Sequence, residues 1–486
     1  MTGCRKRGGG STLNNMKSLS VILFVLLPII TFAEPLNIGT RLEIFADDFL
    51  IEKMEGEISQ NVHQPKPEDV VFSADATWEG NTSGYYTLFR DDDLIRMIYR
   101  GWAHQPQPPV KARHREFTCY AESKDGLNFT KPKLGLVEWE GSKENNIILD
   151  DKSAHNFAAF KDENPDCPPE ARYKGIGGEK KEGGLFVYQS PDAIHWTKMA
   201  EKAVISDGAF DSQNLAFWDS NAKIYRAYYR IFSKGGTDGG EWKPKGVRAI
   251  RTSTSKDYIK WEKGTDLTYA EGTPEQQLYT NAVQTYYRAP HILVGFPTRY
   301  LPDEGQRVEP VFMMSRDGVK FTRYNDPVVP ESAPADRAGN RSNYMTWGLF
   351  PLPGKPDEMT VYATEAYYGP VPGRVRRFTY RLDGFVSLQA GEKGGSVLTK
   401  SLQIAGKELT VNCQVQKGGS LRVELQDADG NALAGFASAD CDPFTGDATS
   451  AKISWGGKSD LSSLKGKAVR VKYFLSKGDL YSMQFR

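Results

Sequence analysis

The chain has 486 residues, enough for two or three domains with cores of their own. Its 62 basic and 61 acidic residues cancel, which excludes a global field that would draw it to nucleic acid or to an anionic membrane. Aromatics at 12%, with 47 Gly and 27 Pro, indicate an all-β protein dense in turns.

In chain order, Arg5, Lys6, Arg7 and Lys17 precede an apolar run over 19–33 that closes on Thr31-Phe32-Ala33. This pattern predicts a signal peptide over 1–33, cleaved before Glu34, with Met16 as an alternative start. The run is short for a transmembrane helix and no later segment qualifies, so no membrane span is expected. The mature protein is expected to be secreted or periplasmic. Cys4 leaves with the leader. Cys119, Cys167, Cys413 and Cys441 match no metal spacing, and a Cys413–Cys441 disulfide is conceivable. No metal and no cofactor are expected.

The stretch 42–51 reads as a strand interrupted by the carboxylates Asp47 and Asp48. A repeat follows. Ser123-Lys124-Asp125-Gly126-Leu127-Asn128-Phe129, Ser190-Pro191-Asp192-Ala193-Ile194-His195-Trp196, Ser255-Lys256-Asp257-Tyr258-Ile259-Lys260-Trp261 and Ser315-Arg316-Asp317-Gly318-Val319-Lys320-Phe321 share one pattern, with a looser copy at Leu382-Asp383-Gly384-Phe385. Their aspartates lie 60 to 67 residues apart, which marks a repeat architecture. Ser and Asp here make tight turns before an outer strand. Two further strands precede each turn, at 85–89 and 95–99, 156–160 and 172–176, 214–218 and 224–229, 282–287 and 291–296, and 346–351 and 359–364. Four strands in each of five repeats predict a five-bladed β-propeller over 34–390. The acidic Asp91-Asp92-Asp93 reads as a solvated hairpin turn rather than a calcium loop. From 391 to 486, alternating strands predict a β-sandwich that braces the propeller.

Propellers bind ligands where innermost strands begin and second strands end. At strand starts stand Glu79, Asn81, His155, Asn156, Asp211, Gln213, Asn214 and Asn281. Second strands end at Arg100, Arg230, Arg299 and Glu365, and a third strand opens with Arg115. Arginine forks suit carboxylates, sulfates or phosphates, which points to an anionic ligand. The alternative is a blade-to-blade network of these arginines with Glu79, Asp211, Glu309 and Glu365. Cleaving a glycosidic bond takes one protonated and one ionised carboxyl group. Glu79 or Glu365 is the candidate acid and Asp211 the base or nucleophile, with Asp47 or Asp48 in reserve. His155 and Asn156 would hold sugar hydroxyls.

Five blades with these hairpins and a trailing β-sandwich resemble glycoside hydrolases of families 32 and 43. Asp47-Asp48-Phe49-Leu50-Ile51-Glu52, Trp78-Glu79-Gly80-Asn81, Phe210-Asp211-Ser212-Gln213-Asn214, Tyr279-Thr280-Asn281 and Arg288-Ala289-Pro290-His291 are similar to exported bacterial family-32-like proteins of undefined activity. The Asn-Asp-Pro-Asn, Arg-Asp-Pro and Glu-Cys motifs of family 32 are absent. The resemblance implies an exported glycoside hydrolase acting on a plant or algal oligo- or polysaccharide with anionic or deoxy sugars. A non-catalytic carbohydrate-binding propeller is the alternative, and a phosphorylase or lyase on the same scaffold is a third.

Overall fold

The computed structural model describes Gly9 and residues 34–105, 111–237, 244–330 and 344–486. The expected leader, with its Cys4, lies outside the described residues apart from Gly9. Among the described residues strands dominate, joined by turns and five short 3-10 segments. Among the described residues no helix is long and apolar enough to cross a membrane.

The strands form a propeller. Blade I orders Gly84–Asp91, Leu94–Gly101, Phe117–Ser123 and Ile147–Leu149 from the axis outward. Blade II uses Ala158–Lys161, Tyr173–Glu179, Gly184–Ser190 and Thr197–Lys198, and blade III Leu215–Asp219, Ile224–Thr237, Pro244–Ser255 and Thr265–Asp266. Blade IV runs Gln284–Tyr286, Ala289–Gly295, Arg307–Ser315 and Lys320–Pro327, with short added strands. A further sheet differs in build: Glu358–Glu365 and Arg374–Arg381 take Lys66–Ser73 as their outer strand. Bridges Met345–Ala363 and Phe350–Thr360 lay residues 345–350 along its inner edge, and a parallel bridge Thr87–Trp347 ties that edge to blade I.

The repeated turns are built from side chain to backbone. Asp125 Oδ1 accepts from the N–H groups of Leu127 and Asn128 at 2.8 Å each. Asp192, Asp257 and Asp317 do the same for the second and third residues after them. The residue after each aspartate is left-handed: Gly126 (φ 71), Ala193 (φ 66), Tyr258 (φ 67) and Gly318 (φ 80). At Gly318 a Cβ would stand 2.5 Å from the Arg226 guanidinium, which would have to shift to admit it. Asp383, the loose fifth copy, is different. It is buried and takes Tyr286 Oη, Arg288 and Ser482 Oγ, which ties blade IV to the C-terminal strands.

In the Asp91-Asp92-Asp93 turn, Asp92 and Asp93 are solvated as expected and Asp91 is not. Asp91 is 5% exposed and receives Arg96, Lys161 and Tyr173. The tip of blade I is thereby clamped to blade II.

The C-terminal strands belong to one eight-stranded sheet, and the N-terminal Leu36–Gly39, Glu43–Ile44 and Ile51–Val62 are part of it. The sequence reading assigned these first residues to the propeller. They pair with the chain's end because Ile51–Val62 lines up antiparallel along Val386–Thr399. Leu409–Gln426 and Ala468–Phe485 carry register shifts that let the sheet bend around a shared apolar core. Cys119, Cys167, Cys413 and Cys441 are free thiols.

One buried ion cluster joins this unit to the propeller. Glu43, fully buried, receives Arg41 at 2.6 Å, Arg316 at 2.8 Å and His291 at 3.3 Å, while Arg316 also holds Asp47 at 2.7 Å. Asp47, a reserve catalytic candidate, is thus occupied in this joint. Burial alone would raise the Glu43 pKa, but His291, Arg316 and Arg41 bring it down to about 2. Glu43→Gln is expected to destabilise the protein by about 3 kcal/mol in denaturant unfolding, because it leaves buried cations short of a counterion. The contribution is whole above the unfolded-state pKa of about 4.3 and is lost as pH falls toward the folded value. An acid titration of stability therefore should be shallower below that pH in the variant.

Candidate active site

The inner strands of three blades begin with the same backbone device. Tyr85 (φ 53), Asn156 (φ 50) and Ala282 (φ 43) are left-handed at equivalent places. Non-glycine residues adopt this conformation at a cost of order 1–3 kcal/mol, and such strain concentrates at functional sites. In blade I it coincides with a register shift between Gly84 and Thr87.

Around these starts a charged cluster forms. His155 Nδ1 lies 2.8 Å from Glu116 Oε2, and its Nε2 lies 3.4 Å from Asp211 Oδ1. Glu116 also accepts the Asn156 backbone N–H at 3.1 Å. The amide of Asn156 accepts from Arg100 at 2.8 Å and donates to the Ser212 carbonyl at 3.1 Å. Arg100 further donates to the Thr82 carbonyl at 2.9 Å and to Tyr367 Oη at 2.5 Å. Three blades therefore meet through one histidine, one amide and one guanidinium.

Burial works to discharge His155, but Glu116 and Asp211 raise its pKa from 6.5 to about 9. Asp211 is pulled the other way. Its surroundings oppose ionisation by desolvation, yet the hydrogen bond and charge of His155, with Arg230 and Arg100, hold it well below the usual carboxylate range. Glu116 is lowered as well, against burial, by the charge and hydrogen bond of His155 and by Arg100. At neutral pH the cluster is two carboxylates and one imidazolium. Asp211 alone opens to solvent: its side chain is 43% exposed, against 10% for His155 and 19% for Glu116.

The opening is walled by tyrosines. Tyr279 and Tyr344 lie 5.4 Å apart between ring centroids, Tyr344 and Tyr367 5.5 Å, and Tyr367 and Tyr368 4.7 Å. Burial, with a contribution from Asp211, raises the phenols of Tyr367 and Tyr368, so both stay neutral donors. Arg230 sits 5.1 Å and Arg248 5.4 Å from the Tyr279 ring, and Arg100 4.7 Å from that of Tyr85. A cavity of about 360 Å³, lined by Trp102, Arg115, Glu116, Asp150, His155 and Lys181 among others, adjoins the cluster on the side of blades I and II.

Of the residues expected at the site, Arg100, His155, Asn156, Asp211 and Arg230 come together. Arg115 lines the adjoining cavity, held bidentately by Asp150 at 2.6 to 2.9 Å. Asn81 fastens mouth loops through the Gly369 carbonyl and the His104 N–H. Gln213, Asn214 and Asn281 satisfy backbone groups: Gln213 accepts from Ala282 N–H, Asn214 donates to Phe210, and Asn281 donates to Gln213 and Tyr228 carbonyls. Arg299 is paired with Glu309 at 2.7 Å.

The carboxylates Glu79 and Glu365 are not brought to Asp211's histidine. Glu79 is bound by Tyr99 Oη, Lys131 Nζ and Ala76 N–H, none of which touches Asp211. Glu365 is held by Arg374 and Arg376. The carboxylate that pairs with that histidine is Glu116. Its signal was a carboxylate one position beyond Arg115, ahead of the apolar third strand. Side-chain alternation gives no means of pairing it with the histidine of the next blade.

No family model and no curated protein sequence matches the chain. Among solved structures, one described as a glycoside hydrolase aligns at TM-score 0.43 and 14% identity, over 66% of this chain and 93% of that one. A family 43 arabinoxylan arabinofuranohydrolase from Bacillus subtilis, in complex with cellotetraose, aligns at 0.40 and 12%, over 84% and 96%. The catalytic domain of a Coprinopsis cinerea family 62 α-L-arabinofuranosidase aligns at 0.41 and 8%, over 65% and 97%.

The charged state of His155 is measurable. Its imidazole is expected to titrate near pH 9 by NMR, and in Glu116→Gln to return toward its ordinary value, since the largest charge holding the proton is gone. The stability it lends is whole below about pH 6.5 and is lost as pH rises through 9. A titration midpoint unchanged by Glu116→Gln would rule out this coupling.

Proposed function

We propose that the protein is a glycoside hydrolase acting on a carbohydrate with an anionic substituent at the tyrosine-walled mouth. The observation that carries this reading is Asp211, the carboxylate of the described cluster that opens to solvent, kept ionised beside tyrosines by a buried imidazolium and two arginines. An ionised carboxylate there can attack the anomeric carbon or stabilise the oxocarbenium charge that builds on it. Its lowered pKa makes it a weak base, so nucleophile or stabiliser is the fitting role. His155 supplies the proton for the leaving oxygen, and Glu116 favours the protonated ring before each turnover. In this reading His155 replaces the protonated carboxyl group as acid, and Glu116 only holds its charge while Asp211 faces the sugar. Arg230 and Arg248, both over Tyr279, give the mouth an excess of positive charge suited to a uronate or sulfate.

We count the closing sheet, with residues 345–350 along it, as a fifth blade, and the eight-stranded unit as a β-sandwich brace. On this reading residues 1–33 are a leader and the protein is exported.

One observation favours the second reading, a carbohydrate-binding propeller without turnover: Glu79 and Glu365 are each neutralised by cations within the blades. Purified protein assayed on aryl glycosides and on acidic plant and algal polysaccharides separates the two. Asp211→Asn is expected to lower kcat/KM by about 10³-fold, or roughly 4 kcal/mol, while retaining substrate binding. Activity should fall along an alkaline limb near pH 9 as His155 loses its proton. Binding by the wild type with no product on any of these substrates would establish the second reading instead.

A further inference from the structure

The inner strands end, opposite Asp211, around a second cavity of about 310 Å³. Its lining includes Phe89 of blade I, Phe160 of blade II, Phe217 and Trp218 of blade III, and Trp347 and Phe350 of the closing sheet's inner edge, with Gln284 and Tyr287 at the two ends of blade IV's short inner strand. None of them belongs to the Asp211 cluster. Trp347 reaches across the axis to donate to the Val283 carbonyl at 2.9 Å and packs 6.4 Å from the Phe217 ring, which sets this end apart from the mouth.

The wall is aromatic, and one polar group in it has no partner. Gln284 is 7% exposed, its Nε2 is buried without a hydrogen bond, and nothing among the described residues bonds its side-chain amide. A buried polar group left unmade costs roughly 1–3 kcal/mol, and native structures keep one where water or a ligand completes it. Replacing it by an apolar residue would remove the cost, so its place in an aromatic pocket points to a ligand with a hydroxyl. The rim carries little free charge. Lys161 is taken by Asp91 and Asp92, leaving Arg90 and Glu163 of opposite sign.

We propose that this cavity is a second carbohydrate site, which holds one neutral pyranose ring by stacking on aromatic faces, with Gln284 hydrogen-bonded to a ring hydroxyl. Its volume falls in the range of about 300–1,000 Å³ usual for small-ligand sites. Exposed Tyr287, at 38%, and Trp218 form the rim over which a sugar enters. The site is independent of the mouth and of its chemistry.

The test uses the full chain carrying Asp211→Asn, so that turnover at the mouth plays no part. Methyl β-D-xylopyranoside and methyl β-D-galactopyranoside are titrated by calorimetry and by saturation-transfer NMR, with cyclohexanol as an apolar control. Binding of either glycoside, weakened about tenfold or more by Gln284→Leu and by Tyr287→Ala and unchanged by Tyr368→Ala at the mouth, is the expected result. Tyr287→Ala alters an exposed side chain and serves alone if Gln284→Leu does not fold. Three results would overturn the proposal: no binding of either glycoside, binding lost only with Tyr368→Ala, or binding of cyclohexanol in preference to both sugars.

Discussion

The imidazolium of His155 is the element on which the mouth depends. It stands between two carboxylates from different blades, and holds Glu116 ionised chiefly by its charge and Asp211 by its hydrogen bond and charge. Remove the proton and two buried or half-buried anions face each other across a neutral ring, a state that low dielectric makes costly. Asn156 is tied to the same ring: its amide nitrogen lies 3.0 Å from His155 Nε2, while the amide accepts from Arg100 and donates to the Ser212 carbonyl. Charge, amide and guanidinium therefore lock three blades in one arrangement.

The same starts show how polar side chains can crowd the axis of a propeller without disordering it. Gln213, Asn214 and Asn281 satisfy backbone groups: Gln213 takes the N–H of the left-handed Ala282, and the two asparagines donate to carbonyls at the strand starts and beside them. The tetrad Asp211-Ser212-Gln213-Asn214 thus divides its labour. Its first residue opens to solvent, Ser212 donates to the Tyr279 carbonyl at 2.5 Å, and its last two hold the strands. Residue type alone could not separate these roles, because an amide bonding a carbonyl and an amide bonding a sugar look alike in sequence.

What was legible followed from local rules. The Ser-x-Asp turns were readable because the aspartate bonds backbone two and three residues away, and their period located the blades. The convergence of Arg100, His155, Asn156, Asp211 and Arg230 was readable because strand starts and ends of a propeller meet at one axis. Pairings between segments distant in sequence were not. Glu79 meets Lys131 from 52 residues away, and Glu365 meets arginines of its own neighbouring strand, so both are spent before they reach the mouth. The N-terminal strands 36–62 pair with the chain's end, a contact no period announces.

The two ends of the axis follow from opposite solutions to one problem. At strand starts, positive φ at Tyr85, Asn156 and Ala282 frees backbone groups, and polar side chains gather to meet them. At strand ends the chain turns into hairpins whose backbone bonds are already made, so apolar rings can fill the space. Trp347 is the boundary, bonded on one side to the Tyr86 carbonyl and on the other to that of Val283. Charge is thereby confined to one mouth, where the dielectric is lowered by tyrosine walls and a field from His155 acts on any group brought against Asp211. The distal end carries no such field, and what distinguishes it is a lone amide among aromatic faces.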